Sequence, residues 1–331
     1  MIEFEEEKIG IFVFVFSMIT RNPIKFKDTS FKDFMSLLKK ISPETEIKEF
    51  DNYIEFIPGS IIGGNFSHEP QNIISDYVLP LLIILSFARK DTVIKFFGIT
   101  NGIGNNVLSI DVIKNVYLKL IQDFGMNADL KIIKRGFYPE GKGEIELKVY
   151  NIGQIKFVEK DEKTIFKIRG LAISNRLNSL TTTKMVEIVQ TNLKQICKNL
   201  KISKDICGGS DAGPSPGYQI VLFAEGNNMI YYSEEINREN KKLEEITMNT
   251  IHKLLQSIDV GGAYDYKATN FILTLMSLSE KECNKIKIKI GKENKKYIEL
   301  IKQFLTFQIE KEEGFVLCYG NGIKNINRLN L

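Results

Sequence analysis

The sequence predicts an α+β fold in which units of strands and helices recur three times along the chain. Segments 31–64, 91–149 and 246–327 each combine alternating apolar and polar residues, typical of half-buried strands, with apolar residues at helical spacing. Two stretches rich in Lys, Glu and Asn, at 156–163 and 237–245, enclose a further group of strands and a helix. Such charged stretches are typical of surface crossings between domains, so we expect a second, smaller unit between them.

Composition narrows the class of protein. With 331 residues, of which 43% are hydrophobic and 26% charged, the chain is expected to be globular and to form more than one domain. The formal net charge of +4 does not predict nucleic-acid binding by itself, although it allows a local basic face. The chain has four cysteines, which are too widely spaced for a C-x-x-C pair: Cys197, Cys207, Cys283 and Cys318. Only two histidines accompany them. We therefore expect no metal site and no disulfide framework, but buried free thiols in a reducing compartment.

The most apolar run, IGIFVFVFSMI at 9–19, follows an acidic start, MIEFEEEK. A membrane-spanning helix needs about 20 apolar residues, and a secretory signal begins with basic residues. The run is therefore predicted to be core, and no contact with a membrane is expected. By propensity alone, its Ile, Val and Phe residues favour a buried strand.

The next elements follow from spacing and from capping residues. Ser30 precedes apolar residues at helical spacing up to Ile41, and Ser109 and Gly125 stand where they would cap and end an amphipathic helix. His68 has no paired acid or thiol in the sequence, so we expect a hydrogen-bonding role for it and not a catalytic one. The remaining predicted elements are strands at 47–57 and 93–101, an apolar helix at 73–87, a strand at 164–174, a helix at 181–200, strands at 217–224, 229–234 and 285–290, and a helix at 297–304.

The segment DLKIIKRGFYPEGKGEIELKV, residues 129–149, predicts two strands joined by a glycine-rich loop. Lys134 and Arg135 lead into this loop, and Lys142 lies between two of its glycines. Rigid loops with cations and exposed backbone N–H groups are suited to phosphate, so these three residues are candidate RNA contacts. An ordinary hairpin with solvated lysines remains the alternative.

The loop resembles the RG-x-x-P-x-G-G-G signature of the RNA 3'-terminal phosphate cyclase superfamily, with Lys142 in place of the middle glycine. Other blocks that resemble the family follow in its order: PGSIIGGNFSHE at 58–69, GITNGIGNNVLSIDVIKN at 98–115, RGLAISNRL at 169–177, PSPGYQIVLFAE at 214–225, GGAYDYKATNFILTLMSL at 261–278 and CYGNGIKNINR at 318–328. Within the superfamily, the motif ITN followed by S-x-D resembles that of the eukaryotic, nucleolar branch, which does not cyclise RNA. In this chain the motif consists of Ile99, Thr100, Asn101, Ser109 and Asp111.

The resemblance implies a specific architecture. It implies one large domain of three repeated βαβαββ-like units, at 1–164 and 244–331, with a smaller inserted α/β domain at 165–243. It also implies that the apolar run near the N-terminus is a helix, followed by a turn and a strand.

The resemblance also suggests further sites. Arg169, Arg176 and Arg328 each lie close to a glycine turn or in a final strand, and together with the loop they could form one RNA-binding face. Each could equally be an ordinary partner in a surface ion pair. In the GGAYDYKATN block, the resemblance places Lys267 at the position of the cyclase nucleophile, a histidine, with Asp265 beside it. Lysine has a reference pKa of about 10.4 and is mostly protonated, so it is a poor replacement for imidazole.

The segment EEEKIGI also stands in place of the glycine-rich opening of true cyclases. The sequence therefore predicts no catalytic residue and no cofactor. The resemblance implies a nucleolar scaffold for small-subunit (18S) pre-rRNA processing, with pre-rRNA and a ribosome-assembly GTPase as partners. A pre-rRNA endonuclease and a residual ATP-dependent RNA 3'-phosphate cyclase remain alternatives. The sequence does not decide whether the protein is an endonuclease, because no paired-carboxylate motif stands out in it.

Overall fold

The computed structural model describes residues 1–4, 10–102, 108–161, 164–227, 229–237 and 241–328, which form four four-stranded β-sheets. Most of the EEEKIGI segment lies outside these ranges. None of the helices within them combines the length and the apolar character needed to span a membrane.

Three sheets belong to units that share the predicted βαβαββ order and one topology. In each unit the first two strands are parallel, and the fourth strand lies between the second and the third. The first unit contains β1 (Ile2–Glu3), α1 (Phe12–Thr20), β2 (Ile24–Phe26), α2 (Lys32–Ile41), β3 (Glu46–Glu49) and β4 (Ile54–Ile57). The second contains β5 (Asn65–His68), α3 (Ile74–Ser86), β6 (Thr92–Gly98), α4 (Ile110–Val112), a π-helical segment (Ile113–Tyr117), α5 (Leu118–Asp123), β7 (Ala128–Lys134) and β8 (Gly143–Val149).

The fourth sheet belongs to the insert, which interrupts the third unit. The insert contains β10 (Ile165–Asn175), α6 (Leu180–Leu193), β11 (Leu200–Cys207), β12 (Gly217–Gly226), β13 (Met229–Ile236) and α7 (Leu243–Val260). The third unit contains β9 (Glu159–Lys160), which precedes the insert, and then α8 (Thr269–Leu278), β14 (Cys283–Lys287), α9 (Lys295–Phe304), β15 (Glu310–Glu312) and β16 (Phe315–Tyr319). The predicted α+β fold of three repeats with a smaller inserted domain is confirmed.

The first helix of the first repeat is apolar on nearly all sides because it lies inside the main core. Every residue of α1 from Val13 to Ile19 is buried. α1 packs against α3, and the ring of Phe12 meets that of Phe271 in α8 at 6.2 Å between centroids. The strand favoured by propensity is therefore wrong and the helix implied by the resemblance is confirmed, since a helix surrounded by apolar neighbours needs no polar face.

The insert has its own core and extends further than the sequence predicts. Ile246, Ile251 and Leu254 of α7 pack with residues of α6, β12 and β13 in a second apolar cluster. The predicted boundary at 243/244 therefore needs correction, because the helix that follows it covers the insert's sheet. The third repeat resumes only after Val260.

The C-terminal residues connect the first two repeats through two asparagine amides, and we call this feature the C-terminal clamp. Asn327 Nδ2 donates to the Phe87 carbonyl at 2.7 Å, while its Oδ1 accepts from Ile61 N–H at 3.2 Å and from Arg21. Asn325 Nδ2 donates to carbonyls of the second repeat at 2.9 Å. Both asparagines are at least nine-tenths buried, so the clamp satisfies backbone groups that water does not reach.

Candidate nucleic-acid interface and the junction behind it

Arg135, predicted to contact RNA, is only 5% exposed. Its Nη atoms donate to the two carboxylate oxygens of Asp111 at 2.7 and 2.8 Å, and its Nε donates to Asp205 of the insert at 2.8 Å. Burial lowers the pKa of Arg135, but the two carboxylates outweigh burial and hold that pKa above its ordinary value. Because the guanidinium is neutralised inside the protein, we remove Arg135 from the predicted RNA contacts and assign it a structural role.

The ITN and S-x-D motif lies on the same boundary between the second repeat and the insert. Ser109 caps α4 by accepting from Val112 N–H at 3.3 Å, and its own N–H donates to Glu234 at 3.0 Å. Asn101 donates to Gln219, which donates to the other oxygen of Glu234 at 2.7 Å. Residues 103–107, between the two halves of the motif, lie outside the described ranges. We call this polar contact, together with Asp111, Arg135 and Asp205, the repeat–insert junction.

One carboxyl group in the junction has an unusual affinity for protons. Burial raises the pKa of Glu234 to about 7, and the neighbouring Asp111 also raises it, while the Ser109 N–H lowers it. The junction therefore contains a group that titrates near neutral pH.

Lys267, at the position that the resemblance assigns to the cyclase nucleophile, connects the third repeat to the insert. Its Nζ donates to the Tyr232 carbonyl at 2.5 Å and to Ser257 Oγ at 2.7 Å, and it lies 3.0 Å from the Asp265 carboxylate. Asp265 also accepts the backbone N–H groups of Lys267 and Tyr232. Burial lowers the pKa of Lys267, and Asp265 opposes this effect. All three ammonium hydrogens have acceptors, so the geometry is that of a structural lysine.

The glycines of the predicted loop are required by close backbone packing. A Cβ on Gly136 would lie 2.3 Å from Gly143 N, and one on Gly213 in the insert would lie 2.2 Å from the carbonyl oxygen of Gly141. Lys142 has a positive φ of 54°, a conformation that favours glycine. The exposed lysine is thus fixed in place by a backbone that has little freedom.

Three of the predicted cations lie around this loop. Lys142 is exposed and Lys134 partly exposed, next to the contact of Gly141 with Gly213. Arg176 is also exposed, and its Nε donates to the Gly213 carbonyl at 2.7 Å. Lys134, Lys142 and Arg176 therefore lie around one loop, and we call this group of three cations the loop surface.

Arg169 and Arg328 are exposed but lie elsewhere. Arg169 is in β10, seven positions before Arg176 and thus roughly 20 Å away along the strand. Arg328 approaches Gly153, beyond the end of β8 opposite to Lys142, which is again on the order of 20 Å away. Apart from the buried Arg135, the predicted cations therefore lie in three locations and not on one face.

A basic groove in the third repeat was missed at the sequence level. Lys292, Lys295, Lys302 and Lys311 line an open groove of about 710 Å³ between α9 and β15, whose floor includes the buried Phe307. The run KENKK at 292–296 contained part of the signal, since it includes Lys292 and Lys295, but a solvated charged face explains the same residues without a binding role.

Within the described ranges, no group of three or more His, Cys, Asp or Glu side chains is arranged to hold a metal ion. The cysteines are free, but only Cys318 is buried and the other three are partly exposed, which corrects the expectation that all four are buried.

A family model described as RNA 3'-terminal phosphate cyclase matches residues 32–310. The chain belongs to the RNA 3'-terminal phosphate cyclase family. Among its curated relatives, a probable RNA 3'-terminal phosphate cyclase-like protein of Dictyostelium discoideum is 30% identical over 89% of this chain and 87% of its own length. The rRNA processing protein rcl1 of Schizosaccharomyces pombe is also 30% identical, over 89% of this chain and 86% of its own. In Saccharomyces cerevisiae, the rRNA processing protein RCL1 is 26% identical over 87% of this chain.

Membership of the cyclase family gives the motifs of this chain a structural meaning. Two of its sequence blocks, the glycine-rich loop and the ITN and S-x-D motif, meet at the repeat–insert junction, where Arg135 contacts Asp111 and Asn101 contacts Gln219. In this chain, therefore, residues of both blocks hold the insert against the second repeat of the cyclase fold.

Proposed function

We propose that this protein is a ribosome biogenesis factor that binds RNA during small-subunit (18S) pre-rRNA processing. Two relatives that match most of the chain are named rRNA processing proteins. The observation that carries the RNA-binding part is the loop surface, in which Lys134, Lys142 and Arg176 surround a glycine-built loop that leaves the cations exposed. A fixed group of cations can neutralise neighbouring phosphates without ordering a loop first.

The loop surface can be tested with a variant designed to keep the backbone intact. Lys142→Gly suits the positive φ at this position, and Lys134→Ala changes a partly exposed side chain. Arg176 is retained because its guanidinium binds backbone carbonyls. In fluorescence anisotropy with single-stranded pre-rRNA fragments, we expect weaker binding and a salt slope reduced by about 0.7 for each lost phosphate contact.

The matched control removes two exposed lysines from the end of α2 in the first repeat, Lys39→Ala and Lys40→Ala. This control lowers the net charge by the same amount as the Lys134 and Lys142 variant, so a non-specific charge effect would weaken RNA binding by both variants alike. Equal affinity and slope for the Lys134 and Lys142 variant and the unmodified protein would refute RNA binding at the loop surface.

The proposed role includes action as a scaffold in the nucleolus with a ribosome-assembly GTPase as a partner. Purification of the tagged protein from nuclear extract at low salt should recover pre-rRNA and such a GTPase together, and the tagged protein should concentrate in the nucleolus. Recovery as a free monomer without RNA or an assembly factor would count against this role.

We further propose that the protein forms no covalent adenylate. Attack on ATP by Lys267 requires a free lone pair on Nζ, whereas three acceptors hold this ammonium group and bind it to the insert. After incubation with ATP labelled on the α-phosphate, we expect no labelled band in denaturing electrophoresis. A band that disappears in Lys267→Ala would identify an enzyme instead of a scaffold.

A further inference from the structure

β11 forms one edge of the insert's sheet, and this edge has no role in the proposed function. The strand spans eight residues, stands first in the order β11-β10-β12-β13 and pairs in parallel with β10. Among the described residues, no strand pairs with its other side. An exposed edge carries unpaired N–H and C=O groups, which makes it a template for a further strand.

The backbone groups of alternate β11 residues point away from the sheet. The Asn199 carbonyl accepts from the Ile168 N–H at 2.9 Å, and the Cys207 carbonyl accepts at 3.0 Å from the N–H of the residue that follows β10. The odd-numbered residues therefore bond to β10. Since this direction alternates along a strand, the even-numbered residues of β11 direct their N–H and C=O groups outward. A further strand can thus be added without loss of any bond to β10.

An antiparallel copy of β11 itself fits this edge. Only residues whose backbone groups point outward can bond to each other, so even-numbered residues must face even-numbered ones. In the register centred on Ser203, the facing pairs between the two copies follow from the sequence: Leu200 with Ile206, Ile202 with Lys204, and Lys201 with Asp205. Each pair occurs twice, because the arrangement has two-fold symmetry.

This register joins opposite charges. Lys201 is exposed, and the Asp205 side chain is 39% exposed and uses only Oδ2 to bind Arg135. A shift of the centre to Lys204 would place two like charges directly opposite each other, which is unfavourable. A shift of the centre to Ile202 would place Lys201 opposite Ser203 and lose both ion pairs. Charge therefore selects the register centred on Ser203.

Lysines often protect an edge from pairing, but Lys204 is directed away from it. Its Nζ donates to Thr183 Oγ1 in the first turn of α6 at 2.9 Å. This hydrogen bond leaves the edge of β11 accessible, and it also places the start of α6 beside the C-terminal end of β11.

Exposed apolar side chains lie at both ends of the edge. Leu180 at the start of α6 and Ile206 at the C-terminal end of β11 are 60% and 49% exposed. Ile196, which is 62% exposed, lies beyond α6 and shortly before Leu200, at the N-terminal end of β11. Antiparallel pairing brings the C-terminal end of one copy against the N-terminal end of the other. The same register thus covers apolar groups that water otherwise surrounds.

We propose that two copies of this protein associate through β11, in the antiparallel register centred on Ser203, so that their insert sheets form one continuous sheet. The partner is a second copy because both the charges and the apolar ends of this edge are complementary to themselves. The two α6 helices then lie on one face of the joined sheet. This association does not require RNA, so it stands or falls independently of the proposed function.

Sedimentation equilibrium on the full chain without RNA tests the association. We expect a reversible equilibrium between monomer and dimer with a dissociation constant in the micromolar range, because one pair of edge strands is a small interface. A chain that stays monomeric up to about 100 µM would overturn the proposal and would leave β11 as an edge for a strand of a different protein.

Lys204→Pro removes one outward N–H group without removing a bond to β10, a substitution that edge strands tolerate. We expect it to weaken the dimer at least tenfold. Lys204→Ala is the matched control, because it loses the same side chain and charge but keeps the N–H group, and it should dimerise like the unmodified protein. Equal dimerisation of the two variants would overturn the proposal.

Ser203→Cys tests the register and leaves the backbone unchanged. Ser203 is exposed, and facing residues of a pair without hydrogen bonds lie about 4.5 Å apart between Cα atoms, which suits a disulfide. After mild oxidation, we expect a covalent dimer in non-reducing electrophoresis. Lys201→Cys, whose two copies would lie on the order of 13 Å apart, should give none. The unmodified protein, which has four free cysteines, supplies the background. Equal cross-linking of both variants, or none above background in either, would overturn the proposal.

Discussion

Two joints hold the units of this protein together, and their chemistry differs. The repeat–insert junction relies on ions, with Arg135 between Asp111 and Asp205 and with Glu234 nearby. The C-terminal clamp relies mainly on the neutral amides of Asn325 and Asn327, which bind backbone groups of the first two repeats. The polar groups buried between packed units are therefore satisfied by ion pairs at one joint and mainly by neutral amides at the other.

The two joints are expected to respond differently to the loss of a side chain. A buried ion pair contributes little net stability against its desolvation cost, but removal of one partner leaves an uncompensated charge. Loss of a buried amide leaves neutral donors and acceptors without partners, which costs less per group. We therefore expect the junction to be sensitive to charge and pH, and the clamp to be sensitive only to the loss of hydrogen bonds.

The largest effect should follow substitution of the central cation. Arg135→Met leaves the Asp111 carboxylate, which is 2% exposed, without its partner. We expect a loss of about 3 to 5 kcal/mol in the free energy of unfolding, measured by urea denaturation. The double variant Arg135→Met with Asp111→Leu should recover part of this loss. A loss below about 1 kcal/mol in the single variant would show that the stability of the junction does not depend on the ion pairs of Arg135.

A smaller loss is expected at the clamp. Asn327→Ala removes the partners of the Phe87 carbonyl and the Ile61 N–H, which should reduce the free energy of unfolding by about 2 kcal/mol. The neighbouring exposed Lys324 provides the control, because Lys324→Ala should change stability by less than about 0.5 kcal/mol. If the Asn327→Ala loss varies strongly between pH 5 and pH 8, the distinction between a neutral and an ionic joint is wrong.

The pH dependence of the junction is the third test. The pKa of Glu234 is raised in the folded state, from an ordinary 4.5 to about 7, so the folded protein binds a proton that the unfolded chain has released. The stabilisation from this proton is complete below the unfolded pKa and is lost as the pH rises through the folded pKa. Stability should therefore fall between about pH 5 and pH 7.

Glu234→Gln should remove this fall, which we expect to be about 1 kcal/mol because Glu234 is only partly buried and solvent screens its charge. Chemical denaturation at closely spaced pH values measures it. An unchanged slope in the variant would mean that another group is responsible.

The smallest effect is expected at the loop surface. Lys142→Gly relieves a side chain held at φ 54° but increases the freedom of the unfolded chain, and the two terms nearly cancel. Thermal unfolding should reveal a change in stability of less than about 0.5 kcal/mol. A large destabilisation would show that Lys142 belongs to the junction itself and does not merely lie beside it.

Most elements of the fold were predictable from the sequence because apolar spacing is a local signal. Ser109 caps its helix as predicted, and the strands on either side of the glycine-rich loop form where alternation indicates them. The N-terminal helix α1 was not predictable from propensity, since its environment is decided by α3 and α8, which are distant in sequence. Only the family resemblance supplied it.

The roles of individual charged residues were less predictable. Arg135 and Lys142 lie in one loop and look equivalent in sequence, yet one is buried between carboxylates from two units and the other is exposed. The partner Asp205 is far along the chain, so no local pattern could reveal the pair. The boundary at 243/244 was misplaced for a related reason, because a helix's own sequence does not say which sheet its apolar face will cover.

The interruption of the third repeat has a consequence for the order in which the chain folds. β9 pairs in parallel with β14, and the entire insert lies between these two strands. A flexible segment of that length would make their encounter slow, because closure of a long loop costs entropy before any contact forms. If the insert folds first around its own core, it brings its two ends to fixed positions and shortens the effective loop. During synthesis the first two repeats and the insert would then be complete before the last sheet closes, and the insert would act as an internal template for that closure.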